Sequence, residues 1–178
     1  ARKRIARLPR HITLKKNYMY KYLLLACLVL LDQGISQKVQ VNLRLNRLDG
    51  KKVSLKQYLN NGPVLINFWA TWCGPCKKEM LHLDRLSKAY KQKNLSILSI
   101  SIDTQRSLSE VKRFIRSKRY DFDVFIDPNQ QIFKKLNGNI MPTNLLIDKN
   151  GQVVWMHYGY MPGDEKIMEK EIVQLLNK

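Results

Sequence analysis

The chain has 178 residues, 44% hydrophobic and 26% charged. That is the composition of a soluble globular protein of one domain plus appendages, and it excludes a mini-domain that depends on staples for want of a core. The outlier is a net charge of +18, which attracts anionic surfaces such as lipid, nucleic acid or acidic proteins; the alternative is a solvated basic surface.

Residues 1–36 carry eight Lys/Arg against Asp32, while residues 37–178 carry 24 basic and 13 acidic residues. Within the first segment, "YLLLACLVLL" (Tyr22 to Leu31) is an apolar run of ten. It is short of the about 20 residues that span a bilayer, but it fits the apolar stretch of an export signal behind Lys21. Gly34 and Ser36 read as a peptidase site, with cleavage after Ser36 leaving Gln37 first. Met19 is a candidate start, which would make residues 1–18 upstream sequence. Acylation of Cys27 fits less well because apolar residues continue past it, and an uncleaved membrane anchor is the second choice. The expected division is residues 1–36 as a basic leader and signal or anchor, and 37–178 as the folded domain, placed outside the cytoplasm in the periplasm or cell envelope.

Along that domain, Lys38–Leu45 alternates with Val39, Val41, Leu43 and Leu45 on one face, which predicts a half-buried strand. "RLDGKKVSL" adds an Asp-Gly turn and a return strand, and Ser54 caps a short helix through Leu59. Val64–Ala70 is apolar on both faces except at Asn67, as in a central strand covered by helices. Met80, Leu83, Leu86 and Tyr90 predict a helix from Pro75 to about Gln92. A strand at Leu95–Asp103, a helix through Leu108, Val111, Phe114 and Ile115, a strand at Asp123–Asp127 and a short helix at Gln130–Leu136 follow. Thr143–Asp148 and Gln152–Tyr158 form a hairpin around Asp148-Lys149-Asn150-Gly151, and Met168, Ile172, Leu175 and Leu176 predict a closing helix. The alternation argues an α/β fold, a three-layer α/β/α sandwich on a central mixed sheet with an added N-terminal hairpin.

Two of the three cysteines stand in "NFWATWCGPCKKEM", Asn67 to Met80. Cys73 falls where a buried strand ends and a helix begins, so free backbone N–H groups and the positive end of the helix dipole face it. Both stabilise a thiolate, the reactive form. No acid lies within five residues before Cys73, and Lys77 and Lys78 add positive charge. Pro75 suits an early helix position. Cys76, one turn on, is placed to attack Cys73. A three-residue spacing closes too small a loop to serve as scaffolding. A zinc site wants a second Cys/His pair; with His11, His82 and His157 as the only histidines, none is available. No metal and no cofactor are expected.

The "NFWATWCGPCKKEM" segment resembles the active-site segment of the thioredoxin superfamily, and within it the extracytoplasmic TlpA/ResA type of thiol–disulfide oxidoreductase. The resemblance runs from about Lys38 to Lys178 and includes "MPTNLLIDKNGQVV" and the closing helix. It implies catalysis by Cys73 and Cys76. It implies a cis Pro142 against the cysteines and backbone pairing of Met141 with substrate. Trp72, Gly74, Pro75, Met141, Pro142 and Thr143 then form the substrate-binding surface, with Trp72 exposed and Trp69 in the core. Thioredoxins proper have an aspartate where this chain has Asn67; the TlpA/ResA type instead has a glutamate matching Glu79. Glu79 is then a proton acceptor for Cys76 with burial raising its proton affinity, or simply an early-helix acid favoured by the dipole. Trp155 and Tyr158 read as hairpin packing and His82 as a surface residue.

The Gly-Pro dipeptide is the thioredoxin one, which predicts a reductase. The resemblance implies a membrane thiol carrier as electron donor and disulfide-containing exported proteins, apocytochrome c among them, as targets. An anionic membrane surface is a further candidate partner, nucleic acid is not expected, and the protein is expected to be a monomer. The alternatives are a peroxide-reducing protein of the same fold, for which no peroxidatic motif is present, and a non-enzymatic binding module using the basic surface.

Overall fold

The structure, a computed structural model, describes residues 37–178. The expectations for Met19, Cys27, the apolar run and cleavage after Ser36 lie outside the described residues. Among the described residues no helix is long and apolar enough to cross a membrane.

Seven strands form one sheet: β1 (Arg44–Arg47), β2 (Lys52–Ser54), β3 (Val64–Trp69), β4 (Ser96–Ser101), β5 (Asp123–Ile126), β6 (Thr143–Ile147) and β7 (Val153–Tyr158). The helices are α1 (Leu55–Leu59), α2 (Gly74–Tyr90), α3 (Leu108–Lys118), α4 (Gln131–Lys135) and α5 (Asp164–Leu176). The strand order is β2-β1-β5-β4-β3-β6-β7. β3, β4 and β5 are parallel neighbours, whereas β6 runs antiparallel to β3 and β7 antiparallel to β6. The mixed three-layer sandwich is therefore present.

Right-handed crossovers fix the layers. β3 to β4 and β4 to β5 step the same way across the sheet, so α2 and α3 cover one face. There Trp69 meets Phe114 of α3 at 5.4 Å between ring centroids, and α5 joins α2 through a two-pronged Arg85–Glu169 pair at 3.1 and 2.7 Å. The other face carries α4, whose Phe133 meets Phe68 edge-on at 5.2 Å, and α1, whose Tyr58 meets Phe125 at 6.1 Å. Every residue of β3 is buried, as expected of an interior strand of a sheet covered on both sides.

One expected strand is different. Lys38–Leu45 is not a single strand: β1 starts only at Arg44, and Gln40 to Leu43 make a turn closed by Leu43 N–H to Gln40 O at 2.9 Å. The physical reason is that the run has two addresses. Lys38 bridges Gln152 and Val39 N–H donates to Gly151 O at 2.8 Å, ahead of β7, whereas Arg44 onward pairs with β2 and β5 across the sheet. The alternation still reports burial, since Val39, Leu43 and Leu45 are in the core and Val41 is half-buried. The Asp-Gly hairpin is present, with Gly50 at φ 92° in the left-handed region where glycine costs least. Ser54 caps α1, its Oγ accepting from Lys56 N–H.

Candidate active site

β3 delivers its C-terminal end to the start of α2, and the sequence there explains the stop. Pro75 cannot donate a backbone hydrogen bond and so sits in the first turn of the helix, where none is required. Cys73 is the N-cap, in an extended conformation, and its Sγ accepts from Cys76 N–H at 3.2 Å. Cys73 and Cys76 are joined as a disulfide with Cα atoms 5.3 Å apart, within the ordinary span of such bonds. Cys76 is fully buried and Cys73 nearly so, at 5% exposure. Lys77 and Lys78 are exposed and the first turn holds no acid.

An acid remote in sequence reaches the loop, however. Asp103, buried beyond β4, accepts from Thr71 N–H at 2.9 Å, from Thr71 Oγ1 at 2.5 Å and from Ser101 Oγ at 2.8 Å. It fixes the segment two residues before Cys73. Its charge opposes the positive field of the helix end, although three donors spread it. A search limited to the neighbours of Cys73 in sequence does not find it.

Glu79 is fully buried in the second turn of α2, too far along for a first-turn dipole role. Its Oε2 accepts from Asn67 Nδ2 at 2.9 Å and its Oε1 from Asn144 Nδ2 at 2.7 Å. Asn67 Nδ2 also donates to Asn144 Oδ1 at 2.9 Å, and Ser99 Oγ reaches Asn67 Oδ1 at 3.5 Å. The sheet register assembles this group: Asn67 stands opposite both Ser99 of β4 and Asn144 of β6. Burial pushes the Glu79 carboxyl up to about 8, against the pull of the Asn144 and Asn67 amides, and the Asp164 carboxylate adds to the rise. Glu79 thus sits one helical turn after Cys76 on the same helix face, with a proton affinity suited to exchange near neutral pH.

The substrate-side residues come from three segments. Trp72 is 69% exposed beside Cys73, while Trp69 is wholly buried. Met141–Pro142 is a cis bond, and Pro142 lies one step beyond the Phe68–Thr143 pair, at the sheet end where Cys73 emerges. Thr143 is buried, its Oγ1 donating to Ile140 O at 2.5 Å, and Gly159 N–H donates to Pro142 O at 2.7 Å. Thr143 is therefore committed to holding the turn. Gly74 and Pro75 are exposed, and a Cβ on Gly74 meets nothing within 4 Å, so the surface there is open. Gly74, Pro75 and Lys78 face Tyr160 and Pro162 across a cavity of about 170 Å³.

Tyr158 departs from the expected hairpin packing, and His82 is more covered than its place on the helix suggests. His82 is half-buried, 6.1 Å from the Tyr160 ring, because α5 and its entry loop cover that side of α2. Tyr158 is 42% exposed at the outer strand, its hydroxyl donating to Asn137 O at 3.0 Å, while Trp155 packs on the core and stacks on His157 at 5.5 Å. Among the described residues no group of three His, Cys, Asp or Glu is placed to hold a metal ion.

A redoxin family model matches residues 36–175. Thiol-disulfide oxidoreductase ResA of Bacillus thuringiensis subsp. konkukian (strain 97-27) is 39% identical over 113 residues, 64% of this chain and 64% of that protein. The chain thus matches a little under two thirds of that curated relative's length. ResA of Geobacillus kaustophilus (strain HTA426) is 33% identical over 121 residues, 68% of each chain. Among solved structures, a candidate thiol:disulfide interchange protein DsbE from Chlorobium tepidum is 28% identical with a TM-score of 0.71, over 79% of this chain and 98% of its own. StoA from Bacillus subtilis, 19% identical with a TM-score of 0.62 over 76% of this chain and 99% of its own, shares the fold. The chain belongs to the redoxin family and, within the thioredoxin superfamily, to the TlpA/ResA type.

Proposed function

We propose that this protein is a thiol–disulfide oxidoreductase acting as a disulfide reductase. The observation that carries this is the Cys73–Cys76 disulfide at the mouth of α2, with Cys73 nearly buried beside the exposed Trp72 and Cys76 wholly buried on the same helix face as Glu79. In the reduced protein the Cys73 thiolate attacks one sulfur of a substrate disulfide, forming a mixed disulfide and releasing the other sulfur as a thiolate. Cys76 gives its proton to Glu79 and attacks Cys73 Sγ, which forms the Cys73–Cys76 bond and expels the second substrate thiolate. The substrate gains two electrons and the protein dithiol loses two. An external dithiol then restores Cys73 and Cys76.

Met141 offers backbone pairing to an extended substrate beside Pro142, Trp72, Gly74 and Pro75 complete the surface around it, and the buried Thr143 supports the turn from beneath. The Gly-Pro dipeptide supports the reducing direction. Likeness to ResA and DsbE supports a place outside the cytoplasm, with disulfide-containing exported proteins as substrates, apocytochrome c among them, and a membrane thiol carrier as donor. In this proposal residues 37–178 are the catalytic domain, working as a monomer behind a basic leader or anchor, residues 1–36.

Insulin reduction by dithiothreitol tests the activity: the protein accelerates it, Cys73→Ala abolishes the acceleration without unfolding the chain, and activity retained by Cys73→Ala overturns the proposal. Cys76→Ser expressed in cells accumulates mixed disulfides on Cys73, and the captured chains identify the substrates.

A further inference from the structure

Glu79 is wholly buried, and its two oxygens are taken up by two side-chain amides. Both amides donate. Asn67 Nδ2 is shared between Glu79 Oε2 and Asn144 Oδ1, and Asn144 Nδ2 is bound to Glu79 Oε1. The three side chains thus close a ring of hydrogen bonds in which the carboxyl only accepts. An ionised carboxylate accepts at both oxygens, whereas a carboxylic acid must donate at one. A proton on Glu79 weakens the amide bond at the oxygen that carries it and needs an acceptor of its own, whereas the ionised form suits both amide donors as they stand.

The sheet holds both amides in place. Asn67 and Asn144 are both fully buried on neighbouring strands and directly opposite in register. The other groups facing Glu79 are Cys76 on α2, Asp164 at the start of α5 and Tyr160 before it, whose hydroxyl is itself bound to Glu165. Asp164 is like-charged and opposes ionisation, and among the described residues no Lys or Arg is paired with Glu79. The amides are therefore the groups that favour the charged form.

We propose that Asn144 is a positioning residue that, with Asn67 as its bridge, orients the Glu79 carboxylate and holds it in the proton-accepting form that the buried thiol needs. The side-chain hydrogen bonds of Asn144 go to Asn67 and Glu79 and not to a sulfur, so it acts through Glu79. Without it, burial and Asp164 act against one amide donor instead of two, and Glu79 keeps its proton to higher pH. Resting on Glu79 as the base proposed above, Asn144 sets the pH at which Cys76 resolves the mixed disulfide. A hydrogen bond to a charged group is worth about 10- to 100-fold in such an equilibrium, or about one to two pH units.

Two measurements separate this inference from the proposal it rests on. In the full-length disulfide form labelled with ¹³C at glutamate carboxyls, the Glu79 resonance, assigned with Glu79→Gln, reports the ionisation midpoint directly and requires no catalysis. Asn144→Ala is expected to raise that midpoint by one to two pH units. Asn144→Asp, which keeps the shape but replaces the donor by an oxygen, is expected to raise it at least as far and decides the matter if the alanine variant does not fold. A midpoint unchanged in the folded variant overturns the inference.

In stopped flow, reduced protein and 5,5′-dithiobis(2-nitrobenzoate) release two thionitrobenzoate ions. The first leaves as Cys73 attacks, and the second as Cys76 attacks the mixed disulfide. The second phase of the wild type is expected to rise with a Glu79-dependent midpoint, and Asn144→Ala to shift that rise upward with its plateau kept, giving a 10- to 100-fold loss near pH 7. A loss of equal size at every pH marks a merely structural role and overturns the inference. If the wild-type profile is already unaltered in Glu79→Gln, the base assignment fails, whatever the resonance shows for Asn144.

Discussion

Asn67 and Glu79, twelve residues apart in the chain, meet in the core with Asn67 Nδ2 donating to Glu79 Oε2 at 2.9 Å. An amide on the central strand thus grips an acid on the active-site helix. The acid titrates near pH 8 in the folded protein and, as an ordinary glutamate, near about 4.3 when unfolded. Between those values the folded chain keeps a proton that the unfolded chain has lost. Stability therefore falls as pH rises across this window, with a slope from this group of at most about 1.4 kcal/mol per pH unit, and is flat on either side. Urea unfolding of the wild type and Glu79→Gln at pH 5 and pH 8 checks this. Stability of the variant relative to the wild type is expected to improve by a few kcal/mol between the two pH values; a constant difference contradicts the assigned shift.

The Asp103 carboxylate holds the loop before Cys73 through Thr71. Asp103→Asn removes a negative charge near the sulfur and one of the strong acceptors. The Cys73 ionisation midpoint is expected to fall, while stability drops by about 1–3 kcal/mol as buried donors lose a charged partner. Iodoacetamide alkylation against pH and urea unfolding give the two quantities.

The two tryptophans flanking this loop differ in kind. Trp69 is wholly buried against Phe114, so Trp69→Ala is expected to cost about 3–5 kcal/mol. Trp72 is 69% exposed, so Trp72→Ala is expected to change stability by less than about 0.5 kcal/mol. It is expected to raise KM for protein disulfides and leave reduction of small disulfides unaltered, because only a large partner covers that ring.

The two-pronged pair of Arg85 with Glu169 ties α2 to α5 and is joined by the Tyr90 hydroxyl at 3.0 Å. Both groups are partly exposed, so a double-mutant cycle is expected to give about 0.5–1 kcal/mol. The Arg85 guanidinium holds the Glu169 carboxyl below its usual range. Its stabilisation is therefore full above the unfolded value and is lost as pH falls through the lower folded one. A coupling energy that persists at pH 2 contradicts this.

Much of this was legible in the chain because periodicity reports burial. Leu83 and Leu86 of α2, β3 with Asn67 as its one polar residue, and the Asp-Gly hairpin all lie where their patterns put them. The cysteines could be placed because Pro75 and the end of an apolar strand mark a helix start. What was hidden depends on register and crossing. Asn144 meets Glu79 only because β6 pairs with β3 in one register, and Asp103 reaches Thr71 only because β4 lies beside β3. A one-residue slip would turn Asn144 to the opposite face. Likewise Lys38–Leu45 has the alternation of one strand, but its hydrogen bonds go to two different parts of the sheet.

The most direct test is the ionisation of Cys73 in the reduced protein, followed by alkylation rate against pH with Cys76 replaced by serine. The helix end, the Cys76 N–H and Lys77 and Lys78 together outweigh the shared charge of Asp103, so the midpoint is expected below the about 8.5 of free cysteine. A midpoint at or above 8.5 would mean that the sulfur is held no more ready to react than any other thiol, and would contradict the account.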